Sequence, residues 1–115
     1  MASEADLRAI ALSLPEVDER SSYGNRPSWK VRGRGFVGIW KDEASAVITI
    51  EDLAVRHGML ENEPEKFFTT SHYGDGPRLL VRLERVNVAE LRELVTDSWR
   101  AYAPEDVVAA FDANS

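Results

Sequence analysis

The stretch RPSWKVRGRGFVGIWK, residues 26–41, decides how the chain folds. Across residues 28–32, Trp29 and Val31 alternate with Ser28, Lys30 and Arg32, the two-residue period of a strand with one buried face. The GRG that follows, Gly33 to Gly35, predicts a turn, because glycine takes up positive φ at little steric cost. Residues 36–40 read as a second strand, KDEAS turns the chain again, and residues 46–50 read as a third. The segment therefore predicts a three-stranded meander. Its charge is also one-sided. From Arg20 to Lys41 there are six basic side chains, Arg20, Arg26, Lys30, Arg32, Arg34 and Lys41, and no carboxylate, whereas the net charge of the whole chain is −6.

Upstream, Ser3 is placed to cap a helix whose first turn holds Glu4 and Asp6, with Leu7, Ile10, Ala11 and Leu14 at helical spacing and Pro15 at its end. EVDERSSYGNRP then reads as a polar linker. Downstream, Leu53, Met59 and Leu60 support a helix over residues 51–62, weakened by about 1 kcal/mol at Gly58 relative to alanine and closed by Pro64. Residues 67–70 and 79–83 predict a second hairpin, joined by SHYGDGPR. Asn87 with Glu90 forms a capping signature, and Val86 is placed to staple onto Leu91. Leu91, Leu94, Val95, Trp99 and Tyr102 make the apolar stripe of that helix, and Pro104 starts a short final helix through Val107, Val108 and Phe111. The order α-β(3)-α-β(2)-α predicts a two-layer α+β fold with a mainly antiparallel sheet and helices on one face.

At 115 residues the chain is expected to form one domain, residues 1–115. It has no cysteine, which excludes disulfides, thiolate nucleophiles and cysteine-based metal sites and suits a reducing compartment. No apolar run reaches the roughly 20 residues of a membrane span, and the acidic start MASEADLRAI is unlike a secretory signal. A cytoplasmic location without membrane contact is the expectation. The two histidines, His57 and His72, form no metal-binding motif, and no cofactor or metal is expected.

ALSLPEVDE, YGNRPSWKVRGRGF and FFTTSHYGDGPRLLVRLERVNVAELRELVTDSWRAYAP, in that order, resemble the MmcQ/YjbR family of small bacterial proteins over nearly the whole chain. The most specific part is the last third, where HY and GP in a hairpin precede a helix containing ELVTDSWR. The resemblance implies a fold similar to type III secretion chaperones, and a DNA-binding role through a likeness to double-wing DNA-binding domains. It brings no catalytic residues with it. The spacing between Tyr23-Gly24 and Pro27 departs from the family pattern.

With Trp29 and Val31 turned inward, Lys30 and Arg32 project from the opposite face of the sheet. In RLLVRL the same alternation points Leu79, Val81 and Leu83 inward and Arg78, Leu80 and Arg82 outward. Two wing-like hairpins would then present Lys30, Arg32, Arg78 and Arg82 on one surface, with Arg34 at a turn tip, an arrangement suited to phosphate contacts. The plainer reading is a solvated face whose long side chains cover Val37 and Leu80. Tyr23, Trp29, Phe36 and Trp40 read as core rather than as stacking platforms, with Trp40 sharing a face with Phe36 and Gly38. Ser71, His72 and Asp75 carry the groups of a hydrolytic triad, but three residues of one loop rarely reach its geometry, so His72 and Tyr73 read as hairpin anchors. The expected function is non-enzymatic binding of DNA through the exposed sheet face and basic hairpins. The alternative is a protein-binding, chaperone-like adaptor capable of dimerising.

Overall fold

The structure is a computed structural model that describes residues 1–21 and 23–114, the Tyr23 side chain excepted. The reading of Tyr23 therefore lies outside the described residues. Among the described residues six strands form one antiparallel sheet in the order β1-β2-β3-β4-β6-β5: β1 Val17–Ser21, β2 Pro27–Val31, β3 Arg34–Ile39, β4 Ser45–Thr49, β5 Phe67–Phe68 and β6 Arg78–Arg82. The helices are α1 Glu4–Ser13, α2 Leu53–Asn62, α3 Val88–Tyr102 and α4 Glu105–Ala113. The two-layer α+β class stands as expected. Among the described residues no helix is long and apolar enough to cross a membrane.

The expected linker contains a strand. β1 lies antiparallel to β2, with Val17 opposite Val31 and Glu19 opposite Trp29. Only Val17 is apolar in VDERS, so an edge strand held by its backbone ladder leaves no alternation to read. The β2–β3 turn is also one residue earlier than GRG suggests. Val31 pairs with Arg34, and the two loop residues Arg32 and Gly33 both have positive φ, 50° and 81°. That is the geometry of a type I′ hairpin turn, whose twist matches that of the strands it joins.

A register shift in β2–β3 follows, where Trp29 faces Val37 and Lys30 faces Gly35. The extra residue is Phe36, and both Phe36 and Val37 are buried. The bulge reverses the expected faces downstream. Val37 and Ile39 join the core, while Gly38 and Trp40 turn to the open side. Ser98 of α3 secures the distortion. Thr49 N–H donates to Ser98 Oγ at 3.0 Å, and Ser98 Oγ–H donates to the Phe36 carbonyl at 2.6 Å. The hydroxyl thus relays a ladder bond between β3 and β4 and satisfies two buried backbone groups.

The core lies between one sheet face and the helices, with Trp29, Ile48, Leu79 and Val81 meeting Leu7, Ile10, Leu91 and Trp99. Both buried indoles are satisfied: Trp29 Nε1–H donates to Glu19 at 3.1 Å and Trp99 Nε1–H to the Pro15 carbonyl at 3.1 Å. Ser3 and Asp6 form a complete capping box on α1. At α3, Asn87 accepts the Glu90 N–H at 2.8 Å, but the Glu90 carboxylate takes Lys66 at 3.1 Å instead of closing the box. Leu53, expected to anchor α2, is 54% exposed; the buried residue of that helix is Arg56.

Candidate nucleic-acid interface

Cross-strand register defines the side of the sheet turned away from the core: Ser28 of β2, Gly38 of β3, Val47 of β4, Leu80 of β6 and Phe68 of β5 share one row. Over that row runs a groove of about 530 Å³, floored by Gly38 and Val47. Its volume falls in the range of small-molecule pockets, roughly 300–1,000 Å³. Gly38 keeps the floor open. A Cβ there would rest on the Ser28 Cβ at 3.4 Å and stand where the cavity is.

One wall is aromatic. Trp40 leaves the end of β3, and His72 and Tyr73 come from the loop between β5 and β6. Ring centroids lie 5.3 Å apart for Trp40–Tyr73, 4.7 Å for His72–Tyr73 and 6.3 Å for Trp40–His72. The loop is held from beneath by Arg56, only 5% exposed, whose guanidinium donates to the Arg78 carbonyl at 2.9 Å, the Gly74 carbonyl at 2.8 Å and Thr69 Oγ1 at 3.2 Å. None of those three acceptors carries a charge, so the buried cation raises the potential of this end of the sheet.

Among the described residues of the lining, the charged ones are all cationic, Arg26, Lys41 and Arg78, set among neutral residues that include Ser28, Val37, Ile39 and Ser71. Arg78 is positioned by donation to the Gly35 carbonyl at 3.3 Å and by the Tyr102 ring 5.8 Å from its guanidinium. Lys41 lies 5.4 Å from the centre of the Trp40 ring. Three smaller depressions elsewhere mix their charges. Arg32 sits with Glu16 and Asp18, Arg34 with Glu51, and Arg92 and Arg100 with Glu93 and Asp97.

The structure distributes the five expected binding residues unevenly. Lys30 is on the open face as expected, opposite Asp18 of β1 and Gly35 of β3, without a hydrogen bond or ion pair among the described residues. Arg78 lies in the groove. Arg82 is outward but occupied, donating to the Pro64 carbonyl at 2.8 Å with the Phe68 ring 4.3 Å away. Arg32 is not a strand residue; it sits in the turn, paired with Glu16 through Nε and, at 3.1 Å, through Nη2. Donation to the Glu16 carboxylate holds the Arg32 guanidinium above its ordinary pKa. Arg34 is not at a turn tip. It begins β3 and donates to the Tyr102 carbonyl at 3.2 Å, at the C-terminus of α3, where the helix dipole favours a cation.

Trp29 and Phe36 are core, as expected, whereas Trp40 is not. Leu80 lies in the outward row but is fully buried. Among the described residues no hydrogen bond joins Ser71, His72 and Asp75, so the triad geometry is not formed. Reading the sequence did not single out Arg26, Lys41 or Thr70 as a set with Trp40 and Tyr73. The available signal was local: a bulge in FVGIW exchanges the faces of Trp40 and Ile39.

The YjbR family model matches residues 12–101. Two uncharacterized proteins, Rv2570 of Mycobacterium tuberculosis and Mb2600 of Mycobacterium bovis, are each 40% identical to the chain over 68 residues, 59% of this chain and 53% of theirs. The match thus spans about half the length of those relatives. The crystal structure of Deinococcus radiodurans protein DR2400, with the family-model domain DUF419, aligns at a TM-score of 0.74 and 20% identity, covering 86% of this chain and 77% of that one. That likeness is one of fold.

Proposed function

The chain belongs to the YjbR family, and from that premise we propose that it binds nucleic acid, DNA first, on the open face of the sheet. One observation supports this reading above the others: in a protein of net charge −6, the largest groove described is lined by Arg26, Lys41 and Arg78 and by no carboxylate. An anionic ligand meets a wall of one sign there and meets both signs at the mixed depressions. Lys30 shares that face but stands opposite Asp18, Arg32 is paired with Glu16, and Arg34 lines a depression that also holds Glu51. The binding surface is the groove rather than the tip of the β2–β3 hairpin. A binding role, not catalysis, is the proposal.

The test is a titration of labelled DNA at several salt concentrations, with the parent and with an Arg26→Ala, Lys41→Ala, Arg78→Ala triple variant. For every phosphate that the variant no longer neutralises, the log–log salt slope should shrink by about 0.9 on duplex or 0.7 on a single strand. Arg32→Ala should leave the slope within error of the parent. A protein-binding adaptor would instead show no salt-dependent DNA binding. That result, or equal slopes for parent and triple variant, overturns the reading.

A further inference from the structure

We propose that the occupant of the groove is an unpaired nucleotide within single-stranded DNA, its base stacked on Trp40 and Tyr73 and its flanking phosphates held by Arg26, Lys41 and Arg78. This deepens the nucleic-acid reading above and rests on it. The deciding feature is a juxtaposition: three aromatic rings within 6.3 Å of one another, centroid to centroid, form one wall of a cavity whose charged lining is cationic. A base offers its π-face only when it is unstacked from its neighbours, as in a single strand; in a duplex both faces of each base pair are covered. The groove is concave and its rings stand inside it, so a duplex could bring phosphates to its rim but no base face to Trp40. The neighbouring Lys41 strengthens the stack by holding positive charge 5.4 Å from the Trp40 ring.

Two further features fit an unpaired base. Ser71 also lines this wall and is exposed, so its hydroxyl can donate to or accept from a ligand's polar edge. Beneath, Arg56 fixes the loop through three hydrogen bonds, so Tyr73 and His72 are set in place before binding. Trp29 and Trp99 are fully buried, leaving Trp40 as the tryptophan that a ligand can touch.

The experiment follows quenching of intrinsic tryptophan emission, and in parallel the anisotropy of labelled DNA, on adding a single-stranded oligothymidylate or a duplex of equal length. The single strand should quench and should bind at least tenfold tighter than the duplex. Trp40→Ala and Tyr73→Ala should each weaken single-strand binding by roughly 5- to 150-fold, the span expected for removing one base–aromatic stack. Circular dichroism must show both variants folded, and Tyr73→Ala in the loop provides the reading should Trp40→Ala disturb the end of β3. Equal affinity for the two forms, or single-strand binding indifferent to both folded aromatic variants, overturns the stacked-base proposal and leaves the cationic groove standing. No binding of either form by the parent overturns the nucleic-acid reading itself.

Discussion

Both ends of the open sheet face carry arginines, but the two ends are wired differently. At the β2–β3 turn, β1 runs back along β2 and brings its acids with it: Glu16 closes on Arg32, and Asp18 stands opposite Lys30. At the groove, Arg26, Lys41 and Arg78 line a cavity with no acid, above the buried Arg56, whose acceptors are all neutral. The difference teaches that an excess of positive charge in one stretch of chain stays one-sided in space only where no returning strand brings carboxylates. Part of that stretch is neutralised by the residues immediately before it.

The sharpest way to break this contrast is to remove one arginine from each end. Arg56→Met removes the guanidinium that ties the Arg78 and Gly74 carbonyls and the Thr69 hydroxyl together, and each hydrogen bond to a charged group is worth about 1.5–3 kcal/mol. A loss of about 3 kcal/mol in urea unfolding is expected on that scale, with hydrogen-exchange protection failing first in residues 69–78. Arg32→Met should hardly move the midpoint, because an exposed ion pair is largely screened. If the two substitutions cost the same, the two ends are not different in kind.

A smaller effect separates the groove from the fold. Gly38→Val puts methyl groups on the cavity floor, where the nearest obstacle is the Ser28 Cβ at 3.4 Å from the new Cβ. DNA affinity should fall by about tenfold, some 1.4 kcal/mol, while unfolding stability stays within about 1 kcal/mol of the parent. Undiminished binding would mean that the ligand does not enter the groove.

The smallest effect tests how β1 is held on the helix side of the sheet, where Glu19 pairs with Arg8 of α1. The hydrogen bond from Arg8 holds the Glu19 carboxyl below its ordinary pKa, helped by the Trp29 indole and opposed by desolvation. A carboxyl whose folded pKa is lowered contributes stability that is complete above the unfolded value and disappears as the pH falls through the folded one. The parent's thermal midpoint should therefore drop in acid, below about pH 4.3, the ordinary glutamate value. Glu19→Gln should begin lower at pH 7 and show a flatter acid limb. Parallel curves would remove Glu19 from the account.

How much was legible can be seen residue by residue. Ser3, Asp52 and Asn87 cap helices. Asp52 apart, these caps and the stripe through Leu91, Val95 and Trp99 could be read directly, since capping and helical burial are set within one or two turns of chain. The meander was legible for the same reason. β1 was not, because an edge strand with one apolar residue owes its existence to β2. The groove was concealed by a single bulged residue, Phe36, which moved Val37 and Ile39 inward and Gly38 and Trp40 outward.

By itself the sequence determined the α+β class, the element order from α1 through α4 apart from β1, and the existence of a carboxylate-free basic run. Those follow from interactions between residues close in the chain. Only the tertiary structure decided which of the cations line a groove and which are tied up in pairs, because ion pairing depends on what lies within a few ångströms in space. Glu16 reaches Arg32 across a hairpin, and Arg78 meets Gly35 from 43 residues away. Distance in space, not order along the chain, sets the charge that a ligand meets.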